Sequence, residues 1–191
     1  MGSGSMSFED IKNIIYRYYP KSFYNTEPGY QDTVEFKRLV EVCSRAGNSS
    51  KLWADFLTLL RDKFGGYEIE DWTQLFHYDP CYRCKINLLE DGMIFRSLIV
   101  HVSIIAPLGS IYLSEVRLDN GRYTQPKISF KPITLEDQKY FSIIYSSLKE
   151  VFGYELLPIE QVMVTVSDIA VRNQLLNEST VFHCLFTDHI I

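Results

Sequence analysis

Little in this sequence points to catalysis. Its 191 residues contain no Gly-rich phosphate loop, no His-Glu-x-x-His pair and no Gly-x-Ser-x-Gly elbow. Basic charge is scarce too. The chain nets −5, and its densest basic pair, Lys37-Arg38, sits between Glu35 and Glu41 as ordinary helix-surface patterning. A nucleic-acid binder carries a basic stripe or a basic balance, so that class is excluded. No apolar run reaches the roughly 18 residues of a membrane span. The best candidate, Leu98 to Leu113, is broken by His101, Pro107 and Gly109. Ser7-Phe-Glu-Asp-Ile-Lys12 is charged where the apolar core of a secretory signal would begin. With only four cysteines, Cys43, Cys81, Cys84 and Cys184, the chain is no disulfide scaffold. The expected home is the cytoplasm, with no membrane and no nucleic acid among the partners.

What is present is a globular composition: 46% hydrophobic, 23% charged, and rich in Tyr (13) and Phe (12). Met1-Gly-Ser-Gly-Ser5 reads as a cloning remnant ahead of a natural start at Met6. Residues 6–191 suit one domain. Ser7 caps a helix with the stripe Phe8, Ile11, Ile15 and Tyr18, which Pro20 ends. A second helix carries Phe36, Leu39, Val40, Cys43 and Ala46 as far as Gly47. A third, capped by Asn48 or Ser49, buries Leu52, Trp53, Phe56, Leu57, Leu60 and Phe64 before Gly65-Gly66.

The period changes near residue 66. Turn signals at Asp91-Gly92, Pro107-Leu-Gly109 and Asp119-Asn-Gly121 divide a β-branched, aromatic stretch. Strands are expected near 83–89, 93–105, 110–118 and 122–130, with Arg96 and His101 marking a partly covered face. Thr134 and Asp137 form a capping box for a helix over 134–152, the natural cover for the sheet. Two closing strands are expected at about 161–167 and 180–187. The predicted class is α+β: helices over 7–65, then a mainly antiparallel sheet covered by a long helix over 66–191.

Cys81-Tyr-Arg-Cys84 has the spacing of half a zinc site, with His77, His183, Cys184 or His189 as the remaining ligands. His183 and Cys184 are adjacent, and on a strand they would face opposite ways. A thioredoxin-like pair needs its first cysteine at a helix N-terminus, whereas Tyr82 onward reads as strand. The simpler reading makes Cys81 and Cys84 small apolar residues at a strand start, with no metal and no cofactor. His101, alone in the most hydrophobic strand, reads as a core or edge residue. The pairs Glu68/Glu70 and Glu136/Asp137 have no companion catalytic signal.

Charge position says more. Six acidic residues (Glu68, Glu70, Asp71, Asp79, Glu90, Asp91) against Arg83 and Lys85 give 66–92 a net of −4, most of the −5 of the whole chain. Tyr67, Trp72, Phe76, Tyr78 and Tyr82 are interleaved with them. Carboxylates among Tyr and Trp suit a basic protein partner, the charges steering encounter and the rings anchoring it. The alternative is a solvated connector whose rings enter the core. Glu68, Glu70, Asp71, Trp72, Tyr78, Tyr82, Glu90 and Asp91 are the candidate partner-binding residues.

The closing stretch Thr180-Val-Phe-His-Cys-Leu-Phe-Thr-Asp188, with Gly153-Tyr-Glu-Leu-Leu-Pro158 and the helices-then-sheet order, resembles immunity proteins of bacterial polymorphic-toxin systems of the Bacteroidetes type. The resemblance implies a late strand finishing the domain. It also implies a non-enzymatic cytoplasmic antidote that binds one cognate protein toxin, of basic charge, often over its active site. A small enzyme with dispersed site residues and an adaptor subunit of a larger assembly stand as alternatives.

Overall fold

Local chemistry sets the helical half. In the computed structural model, which describes residues 6–48, 50–75 and 79–187, the Ser7 hydroxyl accepts the Asp10 N–H at 3.2 Å, and Asp10 accepts the Ser7 N–H in return. This capping box starts α1 (Phe8–Ile15), which buries Ile11 and Ile15. α2 (Val34–Asn48) and α3 (Lys51–Lys63) follow. Asn48 closes α2 rather than capping α3, Ser49 lies outside the described residues, and Ser50 at the cap position makes no side-chain hydrogen bond. α3 is held instead by burial of Trp53, Phe56, Leu57 and Leu60.

The sheet runs β1 (Ile69–Asp71), β2 (Cys81–Glu90), β3 (Ile94–Ser103) and β4 (Leu108–Asp119) as antiparallel neighbours. β4 is long enough to hold three short partners along its outer edge. These are β5 (Arg122–Tyr123), β6 (Lys127–Ser129) and, in the one parallel pairing, β7 (Glu155–Leu156). Asn120 and Gly121 turn β4 into β5 with φ of 49° and 75°, the paired positive values that Asn-Gly tolerates.

One face of the sheet presents Tyr82, Cys84, Ile86, Leu98, Val100, Val102, Ile111 and Leu113. α3 and α4 (Leu135–Phe152) cover it with Phe56, Leu60, Ile144 and Leu148. Full burial of such side chains stabilises by about 1.5–3 kcal/mol each. Gly109 permits the close approach: a Cβ there would meet Leu148 Cδ1 at 2.8 Å and the His101 carbonyl at 3.2 Å. The other face packs Ile99 and Tyr112 against α1 and the C-terminal segment. Helix, sheet and helix thus form an α+β fold, as the change of period predicts. Among the described residues, no helix is long and apolar enough to cross a membrane.

The sheet stops at residue 156, and the two closing strands do not form. Residues Ile159–Val162 make a helical turn, α5, and Val181–Leu185 make α6. Thr180 accepts the His183 N–H, while its own N–H donates to His183 Nδ1 at 3.1 Å. Four of the five α6 residues are buried, so the segment shows neither helical nor strand alternation, and β-branched content misleads. Among the described residues of this segment, a lone bridge between Thr165 and Thr180 is all the strand pairing left. The late strand implied by the family resemblance is therefore a short helix here.

Asp137 ties α4 to β3. Fully buried, its carboxylate accepts two bonds from Arg96 at 2.8 Å and the N–H groups of Ile133 and Thr134. Burial alone would raise its pKa. The Thr134 and Ile133 N–H groups and Arg96 outweigh burial and hold it below the ordinary carboxylate value. Asp137→Ala should cost about 3 kcal/mol by stranding the Arg96 guanidinium. A depressed folded value means this stability is present above about pH 4 and lost as the pH falls through the folded value. Urea unfolding of wild type and variant should differ fully at pH 7 and converge toward pH 3.

Candidate functional site

Strand alternation sends every second residue of β2, β3 and β4 away from α3 and α4. Register aligns Arg83, His101 and Ser110 in one row, Lys85, Ile99 and Tyr112 in the next, and Asn87, Ser97 and Ser114 in a third. The first row is roofed, as are Ile99 and Tyr112 of the second, while Lys85 reaches the groove. Phe182 and Phe186 of the C-terminal segment stand 5.3 Å and 5.6 Å from the His101 ring, and Phe182 stands 6.2 Å from Tyr112. The roof ends there. Beyond it the third row floors an open groove of about 340 Å³, walled by Glu68, Glu70, Trp72, Glu90, Leu89 and Phe95.

The groove is acidic and internally bonded. The Asn87 amide donates to Glu70 Oε1 at 2.7 Å and to Glu68 Oε2 at 3.1 Å. The Trp72 indole N–H donates to Glu70 Oε2 at 3.0 Å. Lys85 Nζ lies 3.7 Å from Glu70 Oε1 and 4.9 Å from the centre of the Trp72 ring, a cation over an aromatic face. The Trp72 and Asn87 hydrogen bonds, with Lys85, depress the Glu70 pKa against the opposing effect of burial. Glu70 is therefore a fixed negative charge. A general acid would need the opposite shift.

The acidic segment divides between places. Glu68, Glu70, Trp72 and Glu90 meet at the groove. Asp71 points the other way by alternation, accepting the Trp53 indole N–H at 3.0 Å and the Thr73 N–H, beside a cleft between α2 and α3. Asp91 is exposed and closes the β2–β3 turn by accepting the Met93 and Ile94 N–H groups, which lowers its pKa. Tyr82 is not a surface anchor: it is buried, stacks on Trp53 at 5.2 Å and donates to the Ala46 carbonyl. Its even-numbered place on β2 turns it toward α3. Tyr78 lies outside the described residues, as do Phe76, His77 and His189.

Sequence reasoning missed Lys85, Asn87, Ser97 and Ser114. The signal was polar residues at inward positions of otherwise apolar strands. Arg96 and His101, which mark a partly covered face in the sequence, sit five residues apart on opposite faces, one held by Asp137 and the other under the roof.

Cys81 and Cys84 belong to opposite faces of β2 and to different cores, so they do not converge on a metal. Burial raises the pKa of all four thiols, that of Cys43 to about 12. Among the described residues, no three His, Cys, Asp or Glu side chains gather as a metal site. A cavity of about 190 Å³ between the N-terminal helices and the C-terminal segment contains an Asp79–Arg172 ion pair at 2.7 Å. Burial also lifts the wall residues Tyr19 and Tyr30, the latter to about 12.

His101 is fully buried, and neither ring nitrogen has a hydrogen-bond partner. Burial, then the charge of Arg83, lowers its pKa well below the ordinary value. The unfolded chain therefore takes up the proton first. The stability carried by neutral His101 is complete above about pH 6.5 and falls by about 1.4 kcal/mol by pH 5.5. Urea titrations at pH 7.5 and 5.5 should show this loss in the wild type and its removal in His101→Leu. Ellman's reagent should leave Cys43, Cys81, Cys84 and Cys184 unmodified in the native protein and react with all four in guanidinium.

No protein-family model, curated protein or solved structure matches the chain.

Proposed function

We propose that this protein is a non-enzymatic binding protein of the bacterial cytoplasm, an immunity protein that neutralises a cognate basic toxin through its acidic groove. The observation that carries this reading is the convergence of Glu68, Glu70 and Glu90 around half-buried Trp72 on an uncovered part of the sheet. The sequence pattern of its acidic, aromatic segment and its resemblance to toxin-immunity proteins point the same way. Charges at the rim of such a surface accelerate encounter, and a ring at its centre slows escape. Glu70 supports binding over proton transfer because its bonds hold it ionised.

The test begins with the product of an adjacent toxin gene, whose growth inhibition co-expression of this protein should relieve. Glu68→Lys with Glu90→Lys should slow association about tenfold at low salt and flatten its salt dependence. Both side chains are exposed, so thermal stability should hold. Trp72→Ala should chiefly speed dissociation. Unchanged rates in both variants, with the fold intact by circular dichroism, would remove the groove from the interface.

A further inference from the structure

Two hydroxyls on the groove floor have no hydrogen-bond partner among the described residues. Ser97 is 8% exposed and Ser114 is 4% exposed, and both line the groove. Both hydroxyls open onto the groove, where they can accept from a ligand's N–H donors. Around them stand three carboxylates, of which, among the described residues, only Glu70 is paired with a cation, Lys85. The nearby Arg96 is already neutralised by Asp137.

Resting on the reading above, we propose that the groove receives an arginine side chain of the protein partner. Lys85 shows the recognition in miniature: its ammonium lies between the Glu70 carboxylate and the Trp72 ring. An ammonium is compact and meets few acceptors. A guanidinium is planar and carries five N–H donors, enough to reach the second Glu68 oxygen, Glu90 and the two serine hydroxyls together. The apolar wall of Leu89, Phe95, Ile99 and Val116 matches its methylene stem. Glu68 and Glu70, braced by one Asn87 amide, present their carboxylates at fixed spacing, which favours a forked donor over a point charge.

The full chain, labelled with ¹⁵N, would be titrated with the peptide acetyl-Gly-Arg-Gly-amide and with its lysine and citrulline counterparts. The arginine peptide should shift the Trp72 indole and the Ser97 and Ser114 amide signals, binding about tenfold more tightly than the lysine peptide. The neutral citrulline peptide should give no saturable shift. Glu70→Gln, and separately Ser97→Ala with Ser114→Ala, should each weaken arginine binding about fivefold, with the rest of the spectrum unchanged. Lys85→Met should strengthen it about threefold by removing a competing cation. Equal binding of the arginine and lysine peptides, shifts that map elsewhere, or serine variants without effect would overturn the proposal. If Trp72→Ala releases the toxin while the arginine peptide does not bind, this inference fails and the proposed function stands. If the peptide binds here while groove variants leave toxin association unchanged, the proposed function fails instead.

Discussion

The packing of Phe182 and Phe186 over His101 and Tyr112 is the contact on which the arrangement depends. A sheet whose helix-covered face is apolar still has to dispose of its second face. Here the C-terminal segment covers only part of it. Where the rings lie, the strands carry Ile99, His101 and Tyr112. Where the rings stop, the strands turn to Asn87, Ser97 and Ser114. The change from aromatic to hydroxyl and amide side chains along three strands records the edge of the roof. It also defines the candidate site.

The same packing explains the state of the titratable groups. Under the roof, desolvation dominates: His101 stays neutral, and the thiols and the Tyr19 hydroxyl keep their protons. Beyond the roof, hydrogen bonds and opposite charge dominate, and Glu70 stays ionised. One sheet face therefore holds a buried neutral histidine and a charged groove only two register rows apart. The proposed binding role rests on that contrast.

Much of the fold was legible because local signals agreed with one another. Ser7 and Thr134 cap their helices through boxes that any sequence reader can find, Asn120-Gly121 turns its hairpin, and the change of period near residue 66 marks the helix-to-sheet boundary. The site was half legible. The two-residue spacing of Glu68 and Glu70 puts them on one face, and Trp72 follows in phase, so their convergence follows from strand geometry. Tyr82 belongs to the same acidic, aromatic segment, but its phase on β2 sends it under α3. Phase within a neighbouring strand depends on where that strand begins, and composition carries no such information.

The sequence by itself determined helices α1 to α4, the meander and the concentration of negative charge, because capping, turn chemistry and alternation act over a few residues. Tertiary structure alone decided that Val181–Leu185 coils into a helix. Burial on every side erases the pattern that would have announced it, and packing on His101 outweighs β propensity. Tertiary structure alone also decided that Asp71 and Tyr82 leave the acidic surface while Asn87, Ser97 and Ser114 join it. Those assignments depend on register between strands and on where the covering segment ends, both set by contacts between residues far apart in the chain.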